Sequence, residues 1–487
     1  MNLKWATSFL GRHALTLRSN VFTEDSMVTY SGLTQAEFKN LGARYNPFRN
    51  DDFEIRRYGG SATHQVDLGK ATKLITNLYF ANFNRDWWRQ SSTTTDGQCG
   101  AAFTAARLAG NRVDPNSCNS IQGRLRSYYT GGIDPRLRMG WSAFGVENEL
   151  ETGFKLHFER QDRKQINGAS PTARSGTKVE DNLRETQAYS GFVSNRFAYG
   201  PVSITPILRY EYIDSSRKNR LTGQKGSDWL DSWIPGIGAT YTPIQWITFF
   251  TGVHKGFAPP RTEDIIGGTG TSTEVGAEKS VNFEIGLRGE PIAGVSFQAE
   301  YFRNDFDRLI AVGSIAGGST PLAEGKALFQ GLEVSGQMDL PFGFYLRPTF
   351  TWLPTAEQKA PFRQVVGGAI VGGSAAGNRQ PYAPEVMFTG ALGYRWDEFN
   401  AQFEVVRVGS QFSDFANTRN PTANGQAGKI DSYTILNLAA NYLIRPISTT
   451  AFVTVKHLTD ETYITDRTRG IQVGMPLQVF GGLKYAW

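Results

Sequence analysis

The chain repeats one unit from end to end: a strand-length segment with apolar residues at alternate positions, followed by a connection that is by turns very short and very long. Residues Glu149 to Glu159 show the unit plainly. Leu150, Thr152, Phe154, Leu156 and Phe158 share one face, and Glu151, Lys155, His157 and Glu159 share the other, the period of two that belongs to an extended strand. Val202, Ile204, Leu208 and Tyr210 alternate in the same way with Ser203, Thr205, Arg209 and Glu211, as do Val295, Phe297, Ala299 and Tyr301 with Ser296, Gln298 and Glu300. A single strand of this kind fits a soluble sandwich. A whole chain of them predicts an all-β fold, an antiparallel transmembrane β-barrel with short turns on its periplasmic rim and long loops on its extracellular rim.

The pattern places strands near residues 2–9, 12–22, 52–67, 71–84, 134–146, 149–163, 184–198, 201–213, 229–242, 245–255, 277–290, 294–308, 326–340, 343–354, 382–396, 399–412, 431–445, 448–458 and 476–487, nineteen in all. Even-numbered strands then run outward and the last runs inward, leaving Trp487 in the periplasm. The charge-free stretch Ser232 to Val253 is long enough for a membrane helix, but Pro235, Gly236, Gly238 and Pro243 exclude one and suit two strands meeting at Pro243-Ile244. No composition break divides the chain, so residues 1–487 read as a single barrel domain. The residues after Met1 do not have the form of an export signal, since the apolar run to Leu10 is cut by Gly11-Arg12-His13.

Composition agrees. Phe 32, Tyr 19 and Trp 10 supply aromatic girdles, and a mean hydropathy of -0.36 is what a barrel facing lipid with every second residue retains. The net charge of +6 comes from scattered cations without a basic stripe, which argues against nucleic acid as a partner. Cys99 and Cys118, the only cysteines, lie in one long connection; they predict a disulfide worth about 3 kcal/mol of loop ordering, the alternative being two free thiols. The five histidines are dispersed, with no helical metal-ligand spacing and no Gly-framed nucleophile or phosphate loop, so neither catalysis, a metal nor a cofactor is expected.

The chain closes on Leu477 to Trp487, where Leu477, Val479, Leu483, Tyr485 and Trp487 share a lipid face. Leu483, Tyr485 and the terminal Trp487 resemble the signal that the barrel-assembly machinery reads. Several segments, in order and spacing, resemble the TonB-dependent receptors of the Gram-negative outer membrane. Thr29 to Phe38 is similar to the ferric dicitrate branch, and His254-Lys255-Gly256-Phe257-Ala258-Pro259-Pro260-Arg261 resembles the family's KGF-x-PP loop. Glu278-Lys279-Ser280 with Asn282-Phe283-Glu284-Ile285-Gly286, Gln330-Gly331-Leu332-Glu333, Gln380 to Glu385, and Lys456 to Tyr463 match further segments, with His457 where the family has Asn.

The resemblance implies uptake of a ferric siderophore or ferric citrate through a barrel of 22 strands closed by a plug. About three strands, the plug and the TonB-contacting segment are then absent from this chain, and TonB is a partner only if a plug is supplied. The alternatives are a plugless, porin-like passive channel and a non-functional truncated remnant. In the receptor reading the ligand meets the outer loops and the upper lumen. The span Arg85 to Ile133 carries Arg85, Arg89, Arg107, Arg112, Arg124 and Arg126 against three aspartates, a net +3, and Asp214 to Asp228 carries Arg217, Lys218, Arg220 and Lys225 for a net +2. Guanidinium groups bind carboxylates through paired charge-assisted hydrogen bonds. Arg85, Arg89, Arg124, Arg126, Arg217, Lys218 and Arg220 are therefore the candidate site for an anionic ferric chelate, with lipopolysaccharide phosphates as the competing partner for the same cations. Trp87, Trp88, Tyr128 and Tyr129 flank the site, either stacking on a chelate or, as expected more readily, joining the outer girdle.

Overall fold

A computed structural model describes residues 1–267, 269–272, 276–311, 322–361, 363–366, 369–372 and 374–486. The nineteen barrel strands are β1 (Asn2–Phe9), β2 (His13–Ser26), β3 (Asp52–Gly69), β4 (Thr72–Arg89), β5 (Ile121–Ala143), β6 (Val146–Gly168), β7 (Thr177–Tyr199), β8 (Val202–Asn219), β9 (Lys225–Ile244), β10 (Ile247–Ala258), β11 (Glu278–Ile292), β12 (Val295–Ala311), β13 (Leu322–Asp339), β14 (Phe344–Gln358), β15 (Val386–Trp396), β16 (Phe399–Val408), β17 (Tyr433–Ile444), β18 (Thr449–Lys456) and β19 (Gln478–Tyr485). They form one sheet in which each strand pairs antiparallel with the next in sequence, an all-β meander. Trp487 lies outside the described residues. Leu483 and Tyr485 stand exposed on the outer face of β19, 74% and 61% accessible.

The faces follow the sequence pattern. Trp5, Leu17, Leu78, Phe80, Phe154, Trp229, Trp233 and Leu483 all stand exposed on the outside. A soluble protein would not expose a contiguous apolar surface of this extent, and a lipid-facing one must. Aromatic pairs mark both margins: Tyr212 and Trp229, 5.9 Å between centroids, toward the long-loop rim, and Phe344 and Tyr394, 4.9 Å, at the short-turn rim.

Glycine makes room for rings on the opposite strand. Tyr345 lies directly across from Gly393, and a Cβ there would fall 1.9 Å from the Tyr345 ring. The short turns are set locally. Between β5 and β6 the two residues Phe144 and Gly145 have φ of 53° and 78°, the double positive φ of a type I′ hairpin whose twist matches that of the strands.

The strands β4 to β9 run further toward the long-loop rim than the apolar pattern predicts. Arg85 and Arg89 belong to β4, Arg124 and Arg126 to β5, and Arg217 and Lys218 to β8, so the connections there shrink to residues 90–120 and 220–224. Beyond the apolar band both faces of a strand are polar, and the hydropathy period vanishes while the hydrogen-bonded ladder continues.

Long loops at opposite ends of the chain interlock over this rim. The β2–β3 loop contains α1 (Gln35–Leu41), and the β4–β5 loop contains α2 (Ala101–Leu108). Their contact is a buried ion pair: Arg107 donates from Nε to Glu37 Oε1 at 2.8 Å and from Nη2 to Glu37 Oε2 at 2.9 Å, both side chains almost wholly inaccessible. Glu37 also closes a capping box on Thr34. Phe48, Phe103 and Cys118 form a small core beside the Cys99–Cys118 disulfide.

The β18–β19 loop reaches the same place. Leu33 and Ile471 exchange backbone hydrogen bonds of 2.9 and 2.8 Å and Gly32 N donates to Arg469 O at 2.9 Å, while the β16–β17 connection joins in where Thr94 Oγ1 donates to Asn424 O at 2.6 Å. Among the described residues β1 and β19 share no ladder. The two ends of the sheet are instead joined through these loops.

Candidate functional site

Beneath the interlocked loops, the inner face of β4 to β8 is covered with arginine. Cross-strand register puts Arg85 opposite Arg126, Arg126 opposite Arg163, and Arg184 opposite Arg217. Arg124 and Arg89 lie on the same face of β5 and β4, alongside Arg126 and Arg85 respectively. Directly opposed side chains in an antiparallel pair have Cβ atoms about 5 Å apart, where like charges repel.

Aromatic and acidic groups hold part of this charge. The Arg89 guanidinium lies 3.8 Å from the Tyr30 ring centroid, and that of Arg469 lies 4.2 Å from the same centroid. Trp87 meets Tyr30 edge-on at 4.6 Å, and Arg85 sits 5.6 Å from the Trp87 ring. Glu180 pairs with Arg163 at 2.8 Å and reaches Arg124 at 3.9 Å. Among the described residues Arg85 and Arg126 form no ion pair, and the buried Nε atoms of Arg85, Arg89, Arg124 and Arg126 have no hydrogen-bond partner.

The deeper half of the cluster is occupied by the protein itself. The β10–β11 connection runs through Pro259-Pro260 into α3 (Thr262–Ile265), and Glu263 of that turn projects onto the wall. Its carboxylate takes Arg163 Nη1 at 3.2 Å and forms a short contact with Arg184 Nη1. Burial raises the affinity of the Glu263 carboxylate for a proton, but Arg184 and Arg163 outweigh it and hold the group below the ordinary glutamate range. The turn is fixed by a paired Arg261–Asp264 contact of 2.8 and 2.9 Å and by Arg217 Nη1 donating to Ile266 O at 2.9 Å.

The residues singled out in the sequence thus divide. Arg85, Arg89, Arg124, Arg126 and Arg217 converge on the inner face. Lys218 and Arg220 do not: Lys218 is opposite Leu183 on the outer face, and Arg220 binds Asp162 there at 2.6 Å. Arg107 is neutralised by Glu37, so its charge is withdrawn from the loop total. Trp87 and Tyr128 face inward, whereas Trp88 is packed against Gly123 and Tyr129 stands outside. Cys99 and Cys118 are bonded to each other. Sequence reasoning missed Arg163, Arg184, Arg469 and Glu263, which enter only through register and loop docking. It also missed that His13 and His64, treated as dispersed, meet across β2 and β3 with 3.0 Å between ring nitrogens.

A protein-family model for the TonB dependent receptor-like beta-barrel matches residues 7–456, nearly the whole meander. The chain belongs to the TonB-dependent receptor β-barrel family. The receptor barrel superposes on the unliganded ferric citrate transporter FecA with a TM-score of 0.79 at 18% identity, over 99% of this chain and 68% of that one. It resembles the siderophore receptor PiuA of Acinetobacter baumannii with a TM-score of 0.78 at 13% identity, over 98% of this chain and 72% of that chain. The closed form of the ferric-catecholate import receptor Fiu from Escherichia coli K12 gives 0.74 at 14%, over 98% and 73%. At these identities the likeness establishes the fold, and with the family it makes this chain an outer-membrane receptor or transporter barrel.

Proposed function

We propose that this receptor barrel takes up a ferric chelate carrying carboxylates, of the ferric citrate type, and that the arginine wall under the interlocked loops is where the chelate binds. The long-loop rim faces the outside and the C-terminus the periplasm. Residues 1–487 are all barrel domain in this reading. TonB acts through a plug in the lumen, and no segment of residues 1–487 is assigned to that role. The outer-face cations Lys218 and Arg220 meet lipopolysaccharide phosphates, and β19 is the strand read by the assembly machinery.

One observation supports the ligand class most directly. Arg85 and Arg126 lie in direct register, with Arg163, itself held by Glu180 and Glu263, next on the third consecutive strand; the opposed, unpaired charges of Arg85 and Arg126 destabilise an empty sheet and are relieved by a bound anion. A multivalent carboxylate offers the paired, planar acceptors that guanidinium groups match. The test is charge reversal of Arg85, Arg89 and Arg126 to Glu in the purified barrel, with ferric citrate titrated by calorimetry. Each lost charge-assisted hydrogen bond is worth about 1.5–3 kcal/mol, so the triple variant is expected to lose more than about a hundredfold in affinity. Unchanged binding would refute the assignment.

A further inference from the structure

Glu263 has the position of a ligand group. Among the described residues of the β10–β11 connection it is the acidic side chain that reaches the arginine wall, where it bridges Arg163 and Arg184. Arg184 is 4% exposed and gains its other side-chain contact from Gln161 at 3.0 Å. Glu263 itself remains a quarter exposed, at the edge of a cavity of about 380 Å³ that Arg184, Thr186, Tyr128 and Pro260 also line. Glu263 also lies 3.7 Å from Arg261 Nη1, but the turn keeps other anchors, in the Arg261–Asp264 pair and in the bond from Arg217 to the Ile266 carbonyl. Glu263 can therefore leave the arginines without releasing the turn.

The remainder of the wall differs. Among the described residues Arg126 and Arg85 have no such carboxylate, although they lie on the same face, one and two strands away from Arg163. The wall thus consists of an open half and a half already filled by the chain's own carboxylate.

Resting on the anionic-chelate reading above, we infer that Glu263 is an internal competitor occupying a second carboxylate subsite at Arg163 and Arg184. An incoming ligand with one carboxylate fills the open half alone. A ligand with a second, suitably spaced carboxylate displaces Glu263 and binds both halves. Glu263 then sets the selectivity of the site for multivalent carboxylates. Apparent affinity is lowered by the fraction of time the subsite is closed, so a carboxylate seated nine-tenths of the time weakens binding about tenfold.

The test compares wild type, Glu263→Gln and Glu263→Asp by calorimetry, with ferric citrate and a neutral ferric trihydroxamate as probes. Gln keeps the size of the side chain and removes the charge. Glu263→Gln is expected to bind ferric citrate about tenfold more tightly with no change toward the neutral chelate, and Glu263→Asp, which retains the charge, is expected to stay within a few-fold of wild type. If wild type binds ferric citrate and Glu263→Gln binds it no better, Glu263 is part of the scaffold and the competitor role is overturned. Equal tightening toward both probes overturns it as well, because it signals a widened cavity. Absence of ferric citrate binding in wild type and variants alike overturns the chelate reading itself, and the competitor role with it.

Discussion

Asp51 offers a sharp test of how the loops are held. It sits at the end of the β2–β3 loop, 1% exposed, and accepts a hydrogen bond from Gln90 N at 2.8 Å through Oδ1, while Oδ2 has no partner among the described residues. Gln90 in turn donates through Nε2 to Pro115 O at 2.8 Å, so this one carboxyl ties the β2–β3 loop to the disulfide-bearing loop. Burial pushes its pKa up from an ordinary 3.8 to about 7, against the pull of the Gln90 and Tyr30 amides and of Arg89 and Arg174. A folded-state value above the unfolded one means the folded loops bind the proton more tightly. Their stability is complete below pH 3.8, falls as pH rises toward 7, and is constant above it. At 1.36 kcal/mol per pH unit the whole loss is about 4 kcal/mol. Amide hydrogen exchange of peptides covering residues 90–120, corrected for intrinsic rates and read between pH 4 and pH 8, measures this directly. Asp51→Asn keeps the acceptor for Gln90 N and removes the titration, so its opening free energy is expected to be flat over the range, whereas Asp51→Ala is expected to be weak at every pH. A wild-type profile that is flat or rises with pH, or an Asn variant with the wild-type slope, would refute the reasoning.

Three further outcomes follow from the same structure. Replacing Cys99 and Cys118 by Ser is expected to weaken ordering of residues 90–120 by about 3 kcal/mol, read by the same exchange measurement with reduced wild type as the control. Arg107→Met strands Glu37 as a buried charge and should cost about 3–5 kcal/mol of loop stability, most of it recovered in the double variant with Glu37→Leu; a double variant as damaged as the single one contradicts this. Gly393→Ala drives a Cβ into the Tyr345 ring and is expected to destabilise the barrel by about 1–3 kcal/mol, seen as a lower temperature for loss of the compact form in gel mobility, with Tyr345→Ala restoring it.

The strand count and the lipid-facing residues were legible because they depend on a local period. The Phe154, Leu156 and Phe158 face needs only its own segment to be recognised, and it is exposed on the outside as its spacing predicts. The outer extensions of β4 to β9 were not legible, since in the run Asn82 to Arg89 both faces are polar or aromatic and no period marks the ladder. Only the hydrogen bonds to β5 show that this segment is still strand.

The site demands more than a period, because it is made by register. Five of its arginines stand out in the sequence as cations in long connections, but cations alone do not say which of them face each other. Across the β5–β6 hairpin the pairing is fixed by where the turn falls. A turn at Glu147-Asn148, as the apolar pattern suggests, opposes Arg126 with Ala169; the turn at Phe144-Gly145 opposes it with Arg163 and builds the like-charge wall. The Gly at 145 carried that information, since a two-residue hairpin needs positive φ and glycine adopts it without strain. Across β4 and β5 no such shortcut exists. A loop of about thirty residues separates Arg85 from Arg126, and their opposition depends on how Glu37, Arg107 and the disulfide pack that loop against its neighbours. The residues that decide the site's geometry are therefore partly ones that never touch it, and the loop core around the disulfide is what brings the arginines into line.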